Sequence, residues 1–375
     1  MQATKFIEAL SDVGVRFYTG VPDSYLYEFC AELQTYCNHN SNVVAANEGN
    51  AIGIAVGHYL ATGEVPLVYM QNSGLGNAIN PLVSLACREM LGIPIILLIG
   101  WRGDPWHLDH VQHKLQGEIT PSLLSDIGIP YIVLNDEQSE TFYAVTQMVS
   151  KARDENMPVA ILVPKDIFSG LKSSIIGKKL LLSREEAIEV VLDSAPADSL
   201  YSATTGRAAR ELYYLREARG ENHSCDYLNV GSMGHASSIA LGIALAVPDR
   251  QVICLDGDAA AIMHMGAFTM PSRYEAPNFL HIVLNNGMHE SVGGRPSAGQ
   301  DIDLTTIAAA CGYETVGGPV FCTDDISWAA EELCKKNNAA FLDVYIRPGI
   351  RSDIPGLEIN PTDMKSCLMR ELRSD

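Results

Sequence analysis

Two polar side chains in the second half of the chain follow apolar runs and could bind a metal ion together. Asp258 comes shortly after the run 252–255, and Asn286 ends the stretch 279–286. If these runs are neighbouring parallel strands, both side chains reach one small volume, because ligands collect outside the carboxyl ends of such strands. A carboxylate and an amide carbonyl suit a hard divalent ion such as Mg²⁺, which keeps open positions for phosphate oxygens. Each motif alone also occurs in structural turns, and it is their pairing that favours a metal site.

The elements that must position these residues are short apolar runs that alternate with helical stretches. The runs are continuous rather than alternating, which is typical of parallel strands covered by helices on both faces. The predicted strands are 15–20, 42–47, 66–71, 93–100, 130–134 and 158–164 in the first half, and 199–204, 227–232, 251–257, 279–286 and 340–346 in the second. The sequence therefore predicts an α/β protein with two doubly wound parallel-sheet domains.

The segment 166–183 interrupts this alternation and is interpreted as a linker. We predict a first domain at 1–166, a linker at 167–183 and a second domain at 184–375. A chain of 375 residues is long enough for two hydrophobic cores.

Composition restricts the function classes. The formal net charge of −19 argues against nucleic acid or an anionic membrane as a partner, because both require a basic surface. The nine cysteines are scattered without a C-x-x-C motif, which favours a reducing, cytoplasmic location over a metal or disulfide framework. No stretch has the length of a membrane span, and the N-terminus lacks the apolar core of a signal peptide.

Glu48 is the main candidate for chemistry in the first half. It follows a predicted strand and opens a helix whose residues 51–56 are apolar nearly all round. Such a helix is buried in a core or in a subunit interface. Glu48 could also be a structural residue that interacts favourably with the helix dipole.

Gly257-Asp258 followed, after a spacer, by Asn285-Asn286 resembles the cofactor motif of thiamine diphosphate (TPP) enzymes. The resemblance implies that Asp258 and Asn286 hold Mg²⁺ through their side chains, and Met288 through its backbone carbonyl. Ala259 stands where the motif has glycine, and a methyl group is tolerated there unless the backbone needs a positive φ. The implied cofactor-binding residues are Glu48, Gly231, Ser232, Met233, Gly234, His235, Gly257, Asp258, Ala259, Ala260, Asn286 and Met288.

The same resemblance implies individual roles. Glu48 would be the catalytic glutamate that bonds the pyrimidine ring and promotes proton removal from the cofactor. Met233 would support the bent cofactor, and the carbonyl of Gly231 would bond its amino group. The segment 231–235 precedes a predicted helix, so its N–H groups could bind the diphosphate.

Segments spread over nearly the whole chain are similar to one branch of this family, the phosphonopyruvate decarboxylases, which are close to sulfopyruvate decarboxylases. They are 19–30, 71–82, 97–105, 230–237, 256–266 and 284–294. The resemblance implies a pyrimidine-binding domain and a diphosphate-binding domain without a middle domain. It also implies decarboxylation of 3-phosphonopyruvate to 2-phosphonoacetaldehyde. The alternatives are another 2-oxo-acid substrate, such as sulfopyruvate, or a non-enzymatic protein, which would be expected to have lost Glu48, Asp258 or Asn286.

Proton transfer and phosphonate recognition need further residues. Asp23 and His113 are the candidates for proton transfer, although His107, His110 and His113 could alternatively form a metal site. The substrate candidates are Ser24, Asn72, Ser73, Arg102, Lys114 and Arg295, with Arg207 as a further cation. Arg295 follows a glycine-rich stretch that could close over the site, or it is a surface residue on a mobile loop. The resemblance further implies a homodimer or larger homo-oligomer with active sites at the subunit interface.

Overall fold

The structure, a computed structural model, describes residues 1–38, 40–135, 138–170, 181–292, 294–349, 351, 353–357 and 359–373. It divides into two compact units, Met1–Ser174 and Ile175–Asp375. Most of the predicted linker 167–183 lies outside the described residues. The expected boundaries at 166 and 184 therefore stay predictions, although Ile167 and Phe168 are buried in the core of the first unit.

Six parallel strands form the sheet of the first unit. They are β1 (Tyr18–Gly20), β2 (Asn42–Val44), β3 (Leu67–Gln71), β4 (Ile96–Gly100), β5 (Tyr131–Val133) and β6 (Val159–Val163), in the order β2-β1-β3-β4-β6-β5. The helices are α1 (Ala3–Asp12), α2 (Tyr27–Tyr36), α3 (Glu48–Thr62), α4 (Leu75–Pro81), α5 (Val111–Asp126) and α6 (Gln138–Glu155).

Helices cover both faces of this sheet because successive strand residues point to opposite sides. Leu67 and Tyr69 of β3 belong to the core cluster that α1, α2 and α6 complete. Val68 and Met70 belong to the cluster on the other face, with α3, α4 and α5. The continuous apolar pattern of the strand is explained by this double burial.

The second unit contains a sheet of five parallel strands and a separate two-stranded antiparallel hairpin. The strands are β7 (Leu200–Ala203), β8 (Asp226–Leu228), β9 (Val252–Gly257), β10 (Phe279–Asn285), β11 (Met288–His289), β12 (Arg295–Pro296) and β13 (Ala340–Tyr345). The large sheet has the order β13-β10-β9-β7-β8, and the hairpin pairs β11 with β12. The helices are α7 (Arg184–Ser194), α8 (Arg207–Arg219), α9 (Ala236–Ala246), α10 (Asp258–Met263), α11 (Met270–Arg273), α12 (Leu304–Ala310), α13 (Thr323–Leu333) and α14 (Pro361–Glu371).

The predicted fold class is confirmed, and each predicted strand overlaps an observed one, usually a shorter one. The run 93–100, for example, contributes only Ile96–Gly100 to the sheet. The hairpin β11–β12 was not predicted, because two-residue strands have no periodicity that a sequence pattern can show. In the part of the chain that the structure describes, no helix has the length and apolarity needed to cross a membrane.

Candidate active site

The two predicted metal ligands meet at one edge of the second sheet. β9 and β10 are parallel neighbours, with Leu284 opposite Gly257. Asp258 begins α10 directly after β9, and Asn286 follows β10. Both side chains are buried, and the backbone N–H of Asn286 hydrogen-bonds the Asp258 carboxylate. The convergence expected from the sequence is present.

The Asp258 carboxylate lies where a cation would stabilise it. Burial raises its pKa to about 6, although hydrogen bonds from the Ser297 hydroxyl and from backbone N–H groups act to lower it. Ser297 Oγ donates to Oδ2, and a Cβ atom at Gly299 would overlap the carboxyl group, so the neighbouring loop packs closely on it. Burial disfavours the charged form of this carboxylate, and a bound divalent ion would offset that cost.

The side chain of Asn286 is held at both ends. Its Oδ1 accepts a hydrogen bond from Met288 N at 2.9 Å, and its Nδ2 donates to Glu290 Oε2 at 3.1 Å. Oδ1 keeps a second lone pair. With the Asp258 carboxylate, it offers oxygen donors of the kind that Mg²⁺ prefers, and Met288 lies two residues on, in β11.

The segment before α9 has an unusual backbone with two positive φ angles. Ser232 and Gly234 adopt positive φ angles of 51° and 84°. A Cβ atom at Gly234 would lie 2.6 Å from Cδ2 of His264, so only glycine fits. Met233 is half-buried and His235 is exposed at the start of the helix.

Ala259, the departure from the cofactor motif, causes no strain. Ala259 and Ala260 lie in α10, and neither has a positive φ. The expectation that a methyl group is compatible at this position is confirmed.

Glu48 is the first residue of α3 and is 5% exposed. Its Oε2 accepts a hydrogen bond from Asn77 Nδ2 at 2.7 Å. A Cβ atom at Gly74 would overlap the Glu48 carboxyl group, so glycine is required beside it. The predicted helix is therefore present, and its acidic residue is buried against α4 and the segment before it.

Among the glycines of α3 at 49, 53 and 57, only the one at the beginning of the helix lies in close contact with another segment. A Cβ atom at Gly49 would lie 3.0 Å from the carbonyl oxygen of Asn77, whereas none at Gly53 or Gly57 would meet another atom within 4 Å. The latter two glycines are exposed in the single chain.

Asp23 is fully buried beyond the carboxyl end of β1. It accepts hydrogen bonds from Gln71 Nε2 at 2.6 Å and from Tyr25 N at 2.8 Å. Burial raises the pKa of this carboxyl, despite those bonds and the positive charge of Arg102. Ser73 Oγ donates to Gln71 Oε1 at 2.7 Å, so Ser73 is linked to Asp23 through Gln71.

Arg102 is the cation of this cluster. Its guanidinium forms a two-pronged ion pair with Asp109, with Nε 2.6 Å from Oδ2, and donates to Ser24 Oγ at 3.0 Å. It also lies over the ring of Tyr25, 4.9 Å from the centroid. Asn72, a predicted substrate donor, instead supports Arg102: its Nδ2 donates to the Arg102 carbonyl at 2.9 Å and to Thr120 Oγ1 at 3.0 Å.

His113 lies in the first turn of α5, close to Arg102. Burial, together with the positive charge of Arg102, lowers its pKa to about 4. The imidazole is therefore neutral near pH 7 and able to accept a proton. Lys114, the next residue, is exposed.

The alternative histidine metal site is not formed. His107 Nδ1 lies 2.8 Å from Asp104 Oδ1. Within the described residues, the only group of His, Cys, Asp and Glu side chains close enough to share an ion comprises Cys254, Asp256 and His281, so His107, His110 and His113 do not form one.

The other two arginines that were considered for substrate binding, Arg295 and Arg207, lie in the second unit. Arg295 begins β12 and is 4% exposed, so the alternative of a surface arginine on a mobile loop is wrong. Arg207 begins α8, where burial and the neighbouring Arg210 and Arg184 lower its pKa.

Sequence reasoning missed several residues around the candidates, among them Gln71, Asn77, Glu290 and Asp343. Asp343 Oδ1 accepts a hydrogen bond from Asn285 Nδ2 at 3.2 Å, and burial raises its pKa to about 7. An acidic residue inside the apolar run 340–346 was a signal that could have found it. The other three had no signal, because their partners are distant in sequence or lie in loops.

Comparison with known proteins gives matches in both units. Residues 2–124 match the family described as thiamine pyrophosphate enzyme, N-terminal TPP binding domain, and residues 204–344 match the C-terminal TPP binding domain. Phosphonopyruvate decarboxylase of Streptomyces viridochromogenes is 30% identical, over 96% of this chain and 92% of that protein.

Two further relatives match over similar lengths. Phosphonopyruvate decarboxylase of Streptomyces hygroscopicus is 28% identical over 97% of this chain and 92% of that protein. Sulfopyruvate decarboxylase of Methanosarcina acetivorans is 26% identical over 96% of this chain and 94% of that protein.

Proposed function

We propose that this chain, which belongs to the thiamine pyrophosphate enzyme family, decarboxylates 3-phosphonopyruvate to 2-phosphonoacetaldehyde and CO₂. The observation that carries the proposal is the match to phosphonopyruvate decarboxylases over nearly the full length of both chains. The presence of Glu48, Asp258 and Asn286 favours an enzyme over a non-enzymatic protein that only binds the cofactor. CO₂ release from phosphonopyruvate, sulfopyruvate and pyruvate, compared at equal enzyme concentration, tests the assignment.

Asp258, Asn286 and the Met288 carbonyl would hold Mg²⁺, and the segment 231–235 would bind the diphosphate of TPP. A protein of charge −19 needs such local neutralisation to bind a diphosphate. When bound, thiamine diphosphate supplies the electron sink that accepts the electrons released as CO₂ leaves.

Glu48 would hold a proton on its carboxyl group against the pyrimidine nitrogen of the cofactor. The contacts with Asn77 and Gly74 restrict this carboxyl to one position. At 5% exposure, the carboxyl group is largely shielded from water.

Asp23 and His113 would carry out the proton step that replaces CO₂ at the substrate carbon. Burial raises the pKa of the Asp23 carboxyl, which favours its protonated form, and the lowered pKa of His113 leaves that ring neutral near pH 7. Asp23 is thus the candidate proton donor and His113 the candidate acceptor.

Arg102 is the cation best placed to recognise the phosphonate, because it lies among Ser24, Asp23 and His113. A planar guanidinium can form two parallel bonds to a phosphonate, as it does here to Asp109. Ser24 and Ser73 are further hydroxyl donors, and Lys114 and Arg295 stay substrate candidates.

Sulfopyruvate is the second candidate substrate, favoured by the similarity to the Methanosarcina sulfopyruvate decarboxylase. Its sulfonate carries a single charge where the phosphonate carries up to two. A preference for phosphonopyruvate that grows as the second phosphonate proton is lost would separate the two substrates.

We also propose a homodimer in which Glu48 of one chain and Asp258 of the other serve the same active site. The exposed apolar and glycine positions of α3, such as Gly53 and Leu60, support a covering partner. Mixing inactive Glu48→Ala with inactive Asp258→Ala tests this arrangement. Shared sites regain partial activity on subunit exchange, whereas no recovery after exchange confirmed by mass spectrometry contradicts it.

The nine free cysteines support a reducing, cytoplasmic location.

A further inference from the structure

We propose that Glu290 is a positioning residue that fixes the amide orientation of Asn286, so that Oδ1 and not Nδ2 faces the metal ion. The inference rests on the proposed function, because it concerns the same Mg²⁺ site. Glu290 belongs to a buried charge network whose link to the metal site no sequence motif indicated.

The Glu290 carboxylate accepts hydrogen bonds from three directions. Asn286 Nδ2 lies 3.1 Å from Oε2, Arg184 Nη2 contacts the same oxygen, and the backbone N–H of Gly349 contacts Oε1. Glu290 is only 5% exposed and Arg184 only 8%. Water is therefore a poor substitute for any of these partners.

The chemistry of the two groups sets the orientation. A carboxylate only accepts hydrogen bonds, whereas an asparagine amide has an accepting oxygen at one end and a donating nitrogen at the other. When the amide nitrogen faces Glu290, it donates a hydrogen bond to the carboxylate. An amide oxygen in the same place would be repelled. The reversed amide would also point two N–H groups at the cation.

Arg184 stabilises the charge that makes this selection. Its guanidinium contacts Glu290 and lies 3.1 Å from Glu211 Oε1, through Nη1. Arg184 and Asn286 both bond Oε2 of Glu290. The ion pair therefore holds this accepting oxygen beside the Asn286 amide.

Glu211 provides a matched control. It is a buried glutamate of the same network, 3% exposed, and among the described contacts it bonds Arg184 and not Asn286. Glu211→Gln removes one negative charge and one acceptor from the network, as Glu290→Gln does, without altering the contact to Asn286.

The test measures Mn²⁺ binding by electron paramagnetic resonance in the presence of thiamine diphosphate, with far-UV circular dichroism to confirm folding. Glu290→Gln is expected to raise the Kd for Mn²⁺ about 10- to 100-fold, the usual effect of losing a group that orients a metal ligand. Glu211→Gln is expected to change it less than threefold. A change below threefold for Glu290→Gln, or an equal loss in both variants, would overturn the proposal.

A second background separates orientation from simple charge. Asn286→Asp has an oxygen at both ends of the side chain, so orientation no longer matters. There, Glu290→Gln is expected to leave Mn²⁺ affinity unchanged or improved. Weakening threefold or more in that background would mean that Glu290 acts through its charge alone and would contradict the proposal. Should Glu290→Gln not fold, Glu290→Asp, whose shorter carboxylate withdraws from Asn286, is measured with the same thresholds.

Measurements on the wild-type protein show whether the proposed function is wrong or only the role of Glu290. If it does not bind Mn²⁺ with thiamine diphosphate, the proposed metal site is absent and the proposed function fails with this inference. If it binds Mn²⁺ and decarboxylates phosphonopyruvate while Glu290→Gln binds equally well, only the role of Glu290 is wrong.

Discussion

Asn77 donates a hydrogen bond from Nδ2 to Glu48 Oε2 over 2.7 Å and joins α4 to the first turn of α3. The other carboxyl oxygen of Glu48, Oε1, lies against Gly74, where there is no room for a Cβ atom. Both oxygens of the buried carboxyl are thus fixed by residues of the same unit. This arrangement gives Glu48 one defined position before any cofactor binds.

Glu48→Gln is expected to bind TPP nearly as well as the wild type but to exchange the C2 proton of the cofactor about 10²- to 10⁴-fold more slowly. The amide is close in shape, and it cannot relay a proton as a carboxyl group does. Exchange measured by NMR in deuterated buffer checks this. An exchange rate equal to that of the wild type would remove Glu48 from the proton transfer.

Gly74→Ala is expected to lower both activity and stability, the latter by about 1–3 kcal/mol, because the new methyl group must displace the Glu48 carboxyl. Gly76→Ala is the matched control: a Cβ atom there meets nothing within 4 Å, and alanine favours the helix. Thermal unfolding and initial rates are measured for both. Equal behaviour of the two variants would show that the Gly74 contact is unimportant.

The sequence predicted the fold and the convergence of Asp258 with Asn286 well, because both depend on local patterns. Continuous apolar runs predicted buried parallel strands, and polar residues at the ends of 252–255 and 279–286 predicted the meeting of Asp258 with Asn286. Strand order was open until the structure placed β9 beside β10. The sequence pattern indicated that the two strands had to be neighbours, but it could not show that they are.

The contacts around those residues could not be predicted, because they join distant segments through side-chain geometry. Arg184 precedes its partner Glu290 by 106 positions. Asn72 was predicted to contact substrate, yet its amide bonds Arg102 and Thr120, and nothing in its motif shows that preference. Packing in three dimensions, not residue type, determines which polar group is left for a ligand.

Arg102→Ala is expected to raise the KM for phosphonopyruvate about 10- to 100-fold and to change the KM for pyruvate much less. A charge-assisted bond to the phosphonate is worth about 1.5–3 kcal/mol, and pyruvate lacks that group. Arg88→Ala, at an exposed arginine paired with Glu155, is the control and should alter neither value. An equal effect of Arg102→Ala on both substrates would contradict a role in phosphonate recognition.

Asp343 should make the stability of the metal-free protein depend on pH. Burial raises its pKa in the folded state to about 7, and the charges of Asp258 and Asp303 add to the shift. Since the unfolded chain ionises near pH 4, the folded protein is penalised increasingly from about pH 4 to pH 7. Asp343→Asn is therefore expected to gain stability relative to the wild type between pH 4 and pH 8, by up to about 4 kcal/mol.

Urea unfolding of both proteins in EDTA at several pH values checks this dependence. Asp249→Asn is a suitable control, because Asp249 is exposed in the second unit and is not among the charges that raise the pKa of Asp343. A constant difference between wild type and Asp343→Asn across this range would show that Asp343 does not titrate as described.

The most direct test of the proposed function is the steady-state rate of CO₂ release from phosphonopyruvate, with thiamine diphosphate and Mg²⁺, before and after EDTA treatment. We expect 2-phosphonoacetaldehyde as the product, a higher kcat/KM for phosphonopyruvate than for sulfopyruvate or pyruvate, and loss of activity in EDTA that added Mg²⁺ restores. A higher kcat/KM for sulfopyruvate would transfer the assignment to that substrate. Cofactor binding without CO₂ release from any of the three acids would contradict the decarboxylase assignment.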